Sequence, residues 1–449
     1  MSDQSQPSRI SRIEVEKLFG YYSYILPSSG EEKDVSTFFI LYGDNGSGKT
    51  TILNLVYAMM LSEDRVGAKT YISKTPFGRV SIFFDNGSEI TALRTSGLMT
   101  GAFTIIVNRI GEEPFCLEIT PDNDGGVRQD MSSLHSVMTT FDLSVRFLPD
   151  DRRTSSPFAT PSRRGGFEHL PDGRIVVRGP ETGEQSHHLN VEPILKRVTE
   201  AVRRRALRST NQGEGNATTI YQNVISRIAD MHPLGHGEPP QPIDELVERI
   251  KEIGNSTAEY ARYGLIAPIS ADKFLAPIER ASPDSQDLIG TVLRPFVEGI
   301  EARTKALKSV KDLMARFVET ARPLLHPKQI LFSIESGLQI FDRNGSEIQP
   351  NLLSSGEKQL ILIFCHSLLI GSKRTIFIID EPELSLNIKW QRHLLHALTE
   401  VSGRGGIQFL LATHSLDLLA KHRSSTVHLI DQSEYEEGEE SENEEENRA

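Results

Sequence analysis

The sequence predicts an α/β fold whose sheet is built from both ends of the chain, and three observations predict it. At 38–61 an apolar strand, a glycine-rich turn and a helical stretch follow one another without interruption. Near the other end, the apolar run at 374–379 closes on Asp380-Glu381, and a second run at 405–412 closes on Thr413-His414-Ser415. Strands that are apolar along their whole length belong to parallel sheets covered on both faces, and such sheets place ligands at the carboxyl ends of their strands.

Each element follows from its pattern. Alternation of Ile10, Ile13, Val15 and Leu18 predicts a strand, and the apolar residues 38–42 predict a buried one. Ile52, Leu55, Val56, Met59 and Met60 fall on one face of a helix over 51–61. Two hairpins are predicted, at 80–93 around Asp85-Asn86-Gly87 and at 338–348 around Asn344-Gly345, because these residues take the positive φ that tight turns demand. They read as β-lobes flanking a long middle section. Between 155 and 188 Pro, Gly, Ser and Arg recur without period, which predicts surface loops, and 210–218 and 233–242 read as connections. Period returns in Ile243, Leu246, Val247, Ile250, Ile253, Thr257 and Tyr260, and again in Ile300, Leu307, Val310, Met314, Phe317 and Ala321. The second stripe predicts a helix over 299–322, begun near Pro295, stopped by Pro323 and about 36 Å long. The domain division expected is therefore 1–150, an insertion at 151–326 that is loop-rich and then a helical hairpin, 327–430, and a disordered acidic tail at 431–449.

Composition excludes several classes. The chain has 449 residues, 38% hydrophobic, enough for two or three units with a sizeable core. Its longest greasy stretch, 361–370, is interrupted by Cys365, His366 and Ser367 and is far short of the roughly 18 residues of a membrane span. The opening MSDQSQPSRI has no apolar core of a secretory signal, and two cysteines cannot build a disulfide framework, so a cytoplasmic protein is expected. The net charge of −12 is concentrated: 431–449 carries −9, leaving −3 for the rest, while 151–208 has twelve Lys or Arg against seven acids. Overall acidity thus says little against a nucleic-acid partner.

The chemistry sits in four short segments. Gly43-Asp44-Asn45-Gly46-Ser47-Gly48-Lys49-Thr50 satisfies G-x-x-x-x-G-K-[ST] and lies between a strand and a helix. Glycines there let backbone N–H groups turn inward around phosphate oxygens, and the helix dipole adds positive potential. Lys49 would reach the β- and γ-phosphates of ATP, the Thr50 hydroxyl would ligate Mg²⁺, and Asn45, Ser47 and Thr51 complete the nucleotide-binding stretch. Asp380 would hold Mg²⁺, directly or through water, and Glu381 would polarise the attacking water. An acidic pair at a strand end is by itself usually a solvated turn, and a lone histidine such as His414 a cap or core residue. The upstream phosphate loop favours a γ-phosphate contact for His414. Ser354-Ser355-Gly356-Glu357 ahead of an apolar helical run is explained by capping alone, yet the same geometry presents N–H groups and hydroxyls to an anion.

In this order the segments resemble the ABC-type ATPase heads of the SMC, RecF and OLD group. Gly43 to Thr50 is similar to their Walker A, 353–359 to their signature, 376–381 to Walker B, 383–387 to the D-loop with Ser385 and Asn387, and His414 to the switch histidine. The DEPELSLN string resembles OLD-like ATPases of bacterial anti-phage systems such as Septu and PARIS. The resemblance covers the two ends of the chain and implies a P-loop ABC-type head, a mixed sheet with a flanking β-lobe, carrying an α-helical insertion. It further implies slow ATP hydrolysis in a head-to-head dimer, where Ser354, Ser355 and Gly356 of one copy meet the γ-phosphate held by the other. Asn387 stands where relatives carry Asp or His. No C-x-x-C pair supports a zinc hook, and the 35 residues after His414 are too few for a Toprim nuclease domain, so an effector such as a nuclease is expected as a separate partner.

Lys196, Arg197, Arg203, Arg204, Arg205 and Arg208 cluster on a predicted helix, either a solvated face or a surface for DNA or RNA phosphates. The expected role is a nucleotide-gated switch or sensor in an anti-phage complex. A RecF-like repair ATPase acting at DNA ends or gaps is the alternative, and an ATP-binding structural protein a third.

Overall fold

Residues 9–150 apart from 29, 32, 62–66, 96 and 124, the strands at 167–169 and 175–177, residues 189–209, and residues 243–431 apart from 371–373 and 404–405 are described by a computed structural model. The connections at 210–218 and 233–242, the acidic tail from 432 and most of 155–188 lie outside these residues. The chain forms two units, one of residues 1–189, 370–396 and 404–449, the other of residues 190–369 and 397–403.

In the first unit the apolar runs become a five-stranded parallel sheet. Its strands are β3 (Phe38–Tyr42), β8 (Leu143–Leu148), β13 (Arg374–Asp380), β14 (Ile407–Thr413) and β15 (Thr426–His428), in the order β15-β3-β14-β13-β8. N-terminal and C-terminal strands are interleaved, so neither end of the chain can form this sheet alone. The helix after the glycine turn, α1 (Lys49–Met60), buries Ile52, Leu55, Val56 and Met59 in the same core as Ile376, Ile378, Leu410 and Ala412. A second, antiparallel sheet runs β2-β1-β4-β5-β6-β7, from β1 (Ile10–Leu18), β2 (Tyr22–Leu26), β4 (Arg79–Phe84), β5 (Glu89–Arg94), β6 (Phe103–Asn108) and β7 (Phe115–Ile119). Its inward residues Ile13, Ile82, Ile90 and Ile105 join that core. The two sheets are tied by Gln408 of β14, whose buried side-chain amide accepts from Ile10 N–H at 2.8 Å and donates to Ile10 O at 2.7 Å. Two short helices, α2 (Ala68–Lys74) and α3 (Ser132–Thr139), complete the N-terminal part of the unit. Within the region read as loops, β9 (Phe167–His169) and β10 (Ile175–Val177) pair antiparallel, a ladder that three-residue strands give no pattern to announce.

The second unit is mainly helical. A helix over 192–209, α4, buries Ile194, Val198 and Val202 on one side. The predicted stripes lie on α5 (Ile243–Ala261) and α7 (Pro283–Leu325), with α6 (Asp272–Arg280) between them in sequence. Leu246, Ile250 and Ile253 of α5 bury against Leu275, Ile278 and Val297, and Arg249 makes a forked pair with Glu301 at 3.0 and 2.7 Å. The short hairpin helix over 299–322 is corrected. The helix α7 has 43 residues, about 65 Å at 1.5 Å each, with Pro295 and Pro323 inside it. Its true start is Ser282-Pro283, where a proline costs nothing because the first-turn N–H has no partner anyway. Across Pro295 the helix persists because Ile289, Leu293 and Val297 stay on the face packed against α5 and α6.

The second hairpin also differs from expectation. Its paired strands are β11 (Gln329–Ser333) and β12 (Gly337–Phe341), closed at Gly337 with φ +77°, whereas the Asn344-Gly345 turn is followed only by an isolated Phe341–Glu347 bridge. The sequence signal at Asn344-Gly345 is real as a turn, with Asn344 N–H donating to Asp342 Oδ1 at 2.8 Å, but no full strand returns from it. The unit ends in α8 (Ser355–Leu368), and α9 (Ile388–Ser402) runs from residues of the first unit into 397–403.

Candidate functional site

Register brings the site together. β3, β14 and β13 are adjacent and parallel, with Tyr42 opposite Thr413 and Asp380 opposite Ala412. The glycine turn, the acidic pair and His414 therefore leave the same edge of three neighbouring strands, although about 330 residues separate the glycine turn from the acidic pair in the chain. The carboxyl edge of a parallel sheet is where strand-to-helix turns expose backbone N–H groups, and α1 begins there.

The glycine turn is built for close approach. Gly46 and Gly48 have φ of +89° and +87°, a region that a Cβ disfavours, and a Cβ on Gly48 would also stand 2.7 Å from Leu18 Cδ2. Tyr24 Oη donates to Ser47 O at 2.9 Å and braces the turn from β2. The N-terminus of α1 has no side-chain cap, so its first-turn N–H groups face the turn without a competing acceptor from Gly48. Lys49 is 6% exposed, and its ammonium donates to Gly43 O at 2.8 Å and Asp44 O at 2.9 Å. A buried ammonium bonded to neutral carbonyls inside a positive-φ turn suits a polyphosphate, whose oxygens offer the same acceptors with charge. Thr50 is exposed and Thr51 half-buried at the start of the helix.

Opposite stands an acidic cluster. Asp380, at the end of β13, is 1% exposed, and a carboxylate so buried is of the kind that could hold a divalent cation. Glu381 follows with φ +45°, a left-handed conformation that turns its side chain across the strand end. Its Oε2 lies 2.6 Å from His414 Nδ1. Burial, then the hydrogen bond and charge of Glu383, then Asp380 push the Glu381 carboxyl up to about 8, with Lys49 opposing them. Glu383 is 5% exposed, and its Oε1 accepts from Thr413 Oγ1–H and from His414 N–H at 3.1 Å. Donor atoms of Glu381, Glu383 and His414 all fall within 4.8 Å of one another. Glu383 was read only as the first residue of the D-loop stretch 383–387 and given no role of its own; a second acid two residues after Glu381 was the available signal.

The other predicted residues are placed as follows. Ser385 is exposed with φ +64°, and Asn387 Oδ1 accepts from Trp390 N–H at 2.9 Å, the geometry of an N-cap on α9. In the second unit Ser354 forms a capping box with Glu357: Ser354 Oγ accepts from Glu357 N–H at 3.3 Å and Glu357 Oε2 from Ser354 N–H at 2.8 Å. Ser355 is exposed and Gly356 buried in the first turn of α8. Arg203 is exposed, and its guanidinium donates to Ile334 O at 2.6 Å and Glu335 O at 2.5 Å, gripping the β11–β12 turn. Arg204 and Arg205 remain exposed, Arg204 standing 3.8 Å from Glu200 one helical turn back.

Comparison with known proteins adds a coarse identification. Residues 266–420 match the family described as AAA domain, putative AbiEii toxin, Type IV TA system. Over that segment the chain is similar to an AAA-type ATPase. The match takes in the signature-like turn, Asp380, Glu381 and His414, while the glycine turn at 43–50 lies outside it and joins it through the β3–β14 pairing. No curated protein matches the chain. Among solved structures, the Smc head domain of Pyrococcus furiosus with an extended coiled coil, bound to the C-terminal domain of ScpA, is 11% identical with TM-score 0.40, covering 92% of this chain and 91% of that one. A Pyrococcus yayanosii Smc head with coiled coil and joint is 12% identical with TM-score 0.37, covering 92% and 93%. The SMC head domain of Thermotoga maritima is 10% identical with TM-score 0.32, covering 92% and 91%.

Proposed function

We propose that the protein binds ATP with Mg²⁺ at the carboxyl edge of its parallel sheet and hydrolyses it slowly. The observation that carries this is the β3–β14–β13 register, which sets the glycine turn with Lys49 beside the Asp380-Glu381-His414 cluster. Lys49 and the N–H groups of 45–51 hold the phosphates, Thr50 and Asp380 hold the cation, Glu381 takes the proton of the attacking water, and His414 contacts the γ-phosphate. Thr50 and Asp380 would hold the Mg²⁺, which when bound would supply charge neutralisation for the phosphates.

In this reading two copies close on ATP, with Ser354, Ser355 and Gly356 of α8 from one copy presented to the nucleotide of the other. Nucleotide state then gates a separate effector in a cytoplasmic defence complex, in keeping with the family name's reference to a toxin–antitoxin system. No described helix is long and apolar enough to cross a membrane. A repair role at DNA ends is the second reading, favoured by the exposed Lys196, Arg197, Arg204, Arg205 and Arg208 of α4.

Phosphate release from wild type, Lys49→Ala and Glu381→Gln tests the first part. Wild type should turn over, Glu381→Gln should bind ATP with turnover lowered about a hundredfold or more, and Lys49→Ala should lose binding. Background release by all three would remove the catalytic assignment.

A further inference from the structure

Glu383 carries no role in the reading so far, yet it is the most enclosed acid of the loop after β13. A turn residue at a strand end is ordinarily solvated. This one is 5% exposed, and a carboxylate withdrawn from water to that degree is costly unless its oxygens find partners. Its Oε1 is used twice, by the Thr413 hydroxyl and by the His414 amide at 3.1 Å. Both donors belong to the end of β14, thirty residues further along the chain. The same Oε1 lies 3.6 Å from His414 Nδ1, which Glu381 Oε2 approaches to 2.6 Å. The local backbone is coiled tightly around this point: Glu381 has φ +45°, Leu384 N–H donates to Glu381 O at 3.1 Å, and Leu386 N–H donates to Glu383 O at 2.9 Å.

The geometry points to Glu383 as a positioning residue of the ATPase site. Its carboxylate clamps the Thr413-His414 end of β14 to the turn that carries Glu381, fixing the distance between the base and the imidazole. A left-handed glutamate is a conformation the chain leaves readily, so Glu381 stays aimed only where its surroundings over-determine it. Sheet hydrogen bonds reach just past the strand end, to Glu381 N–H donating to Ala412 O at 3.0 Å, and beyond that the Glu383 carboxylate joins the two segments. Glutamine in its place keeps an acceptor oxygen for Thr413 and His414, whereas alanine keeps none.

This inference rests on the ATPase reading, and its test separates the two. Turnover, KM for ATP and melting temperature are measured for wild type, Lys49→Ala, Glu383→Gln and Glu383→Ala. Glu383→Ala should lose about ten- to a hundredfold in kcat with KM changed by less than about threefold, the scale of a lost supporting partner. Glu383→Gln should recover turnover to within a few-fold of wild type. Wild-type turnover in Glu383→Ala, or equal losses in the alanine and glutamine variants, overturns the positioning role while leaving the ATPase reading intact. A wild-type protein no faster than Lys49→Ala removes both.

Discussion

The Lys328 ammonium lies 2.6 Å from each carboxylate oxygen of Glu357, the residue that closes the capping box at the start of α8. Burial alone would raise the Glu357 carboxyl, but the Lys328 hydrogen bond, two bonds with Ser354 and the Lys328 charge together hold it below its ordinary value. A carboxylate whose folded value is depressed adds stability above its unfolded value, near about 4.3, and loses it as pH falls through the lower folded value. Replacing Lys328 by Met removes the first of the causes that lower Glu357, its hydrogen bond, together with the Lys328 charge. The acid limb of a melting-temperature profile should therefore be steeper for wild type than for Lys328→Met, with the two curves drawing together at the lowest pH. Parallel curves across that limb would show that the pair does not set α8 stability.

Gly46 and Gly48 share a left-handed backbone but not their surroundings. Nothing lies within 4 Å of a Cβ built on Gly46, whereas one on Gly48 meets Leu18 Cδ2 at 2.7 Å and Phe19 at 3.6 Å. Gly46→Ala should cost only the conformational strain, about 1–2 kcal/mol. Gly48→Ala should cost that plus displacement of the buried Leu18, about 1–3 kcal/mol more, and should weaken ATP binding further than Gly46→Ala. Urea unfolding and nucleotide titration of the two variants measure this, and an equal or reversed order would show that the turn is not packed against β1 as described.

How much of this was legible beforehand follows from what a pattern can encode. The glycine turn and the Asp380-Glu381 strand end were readable because their chemistry needs fixed residue types at fixed spacing, and the apolar runs at 38–42, 374–379 and 405–412 named the central strands of the sheet, whereas its edge strands β8 and β15 went unread. Periodicity also placed α5 and the buried stripe of α7, since it reports which face of a helix is covered. It does not report the partner. Gln408 finds Ile10 across 398 positions, Lys328 finds Glu357 across 29, and Arg203 finds the carbonyls of Ile334 and Glu335, bonds that only the assembled topology defines. Pro295 misled for a related reason. Its local cost is fixed by covalent geometry, but the packing of Ile289, Leu293 and Val297 that outweighs it is tertiary. Glu383 was hidden differently, because a polar residue in a short turn reads as solvated until Thr413 and His414 are seen to close over it.

The arginine run at 203–205 divides into two kinds of residue, and that division gives a test of the α4 surface. Arg203 is exposed, yet its guanidinium donates to two backbone carbonyls of the β11–β12 turn. Arg203→Ala should lower stability by about 1–3 kcal/mol, the range for hydrogen bonds to a charged donor. Arg204 has only a long contact to Glu200, and exposed pairs of that kind contribute little, so Arg204→Glu with Arg205→Glu should leave the melting temperature within a degree or two, about the effect of an ordinary surface change. If α4 meets nucleic-acid phosphates, the double variant should elute from a DNA column at lower salt than wild type and show a shallower salt dependence, because fewer counterions are released on binding. Arg203→Ala should elute nearly as wild type does. Salt-sensitive retention unchanged in the double variant would count against a phosphate contact by Arg204 and Arg205 and leave them on a solvated face.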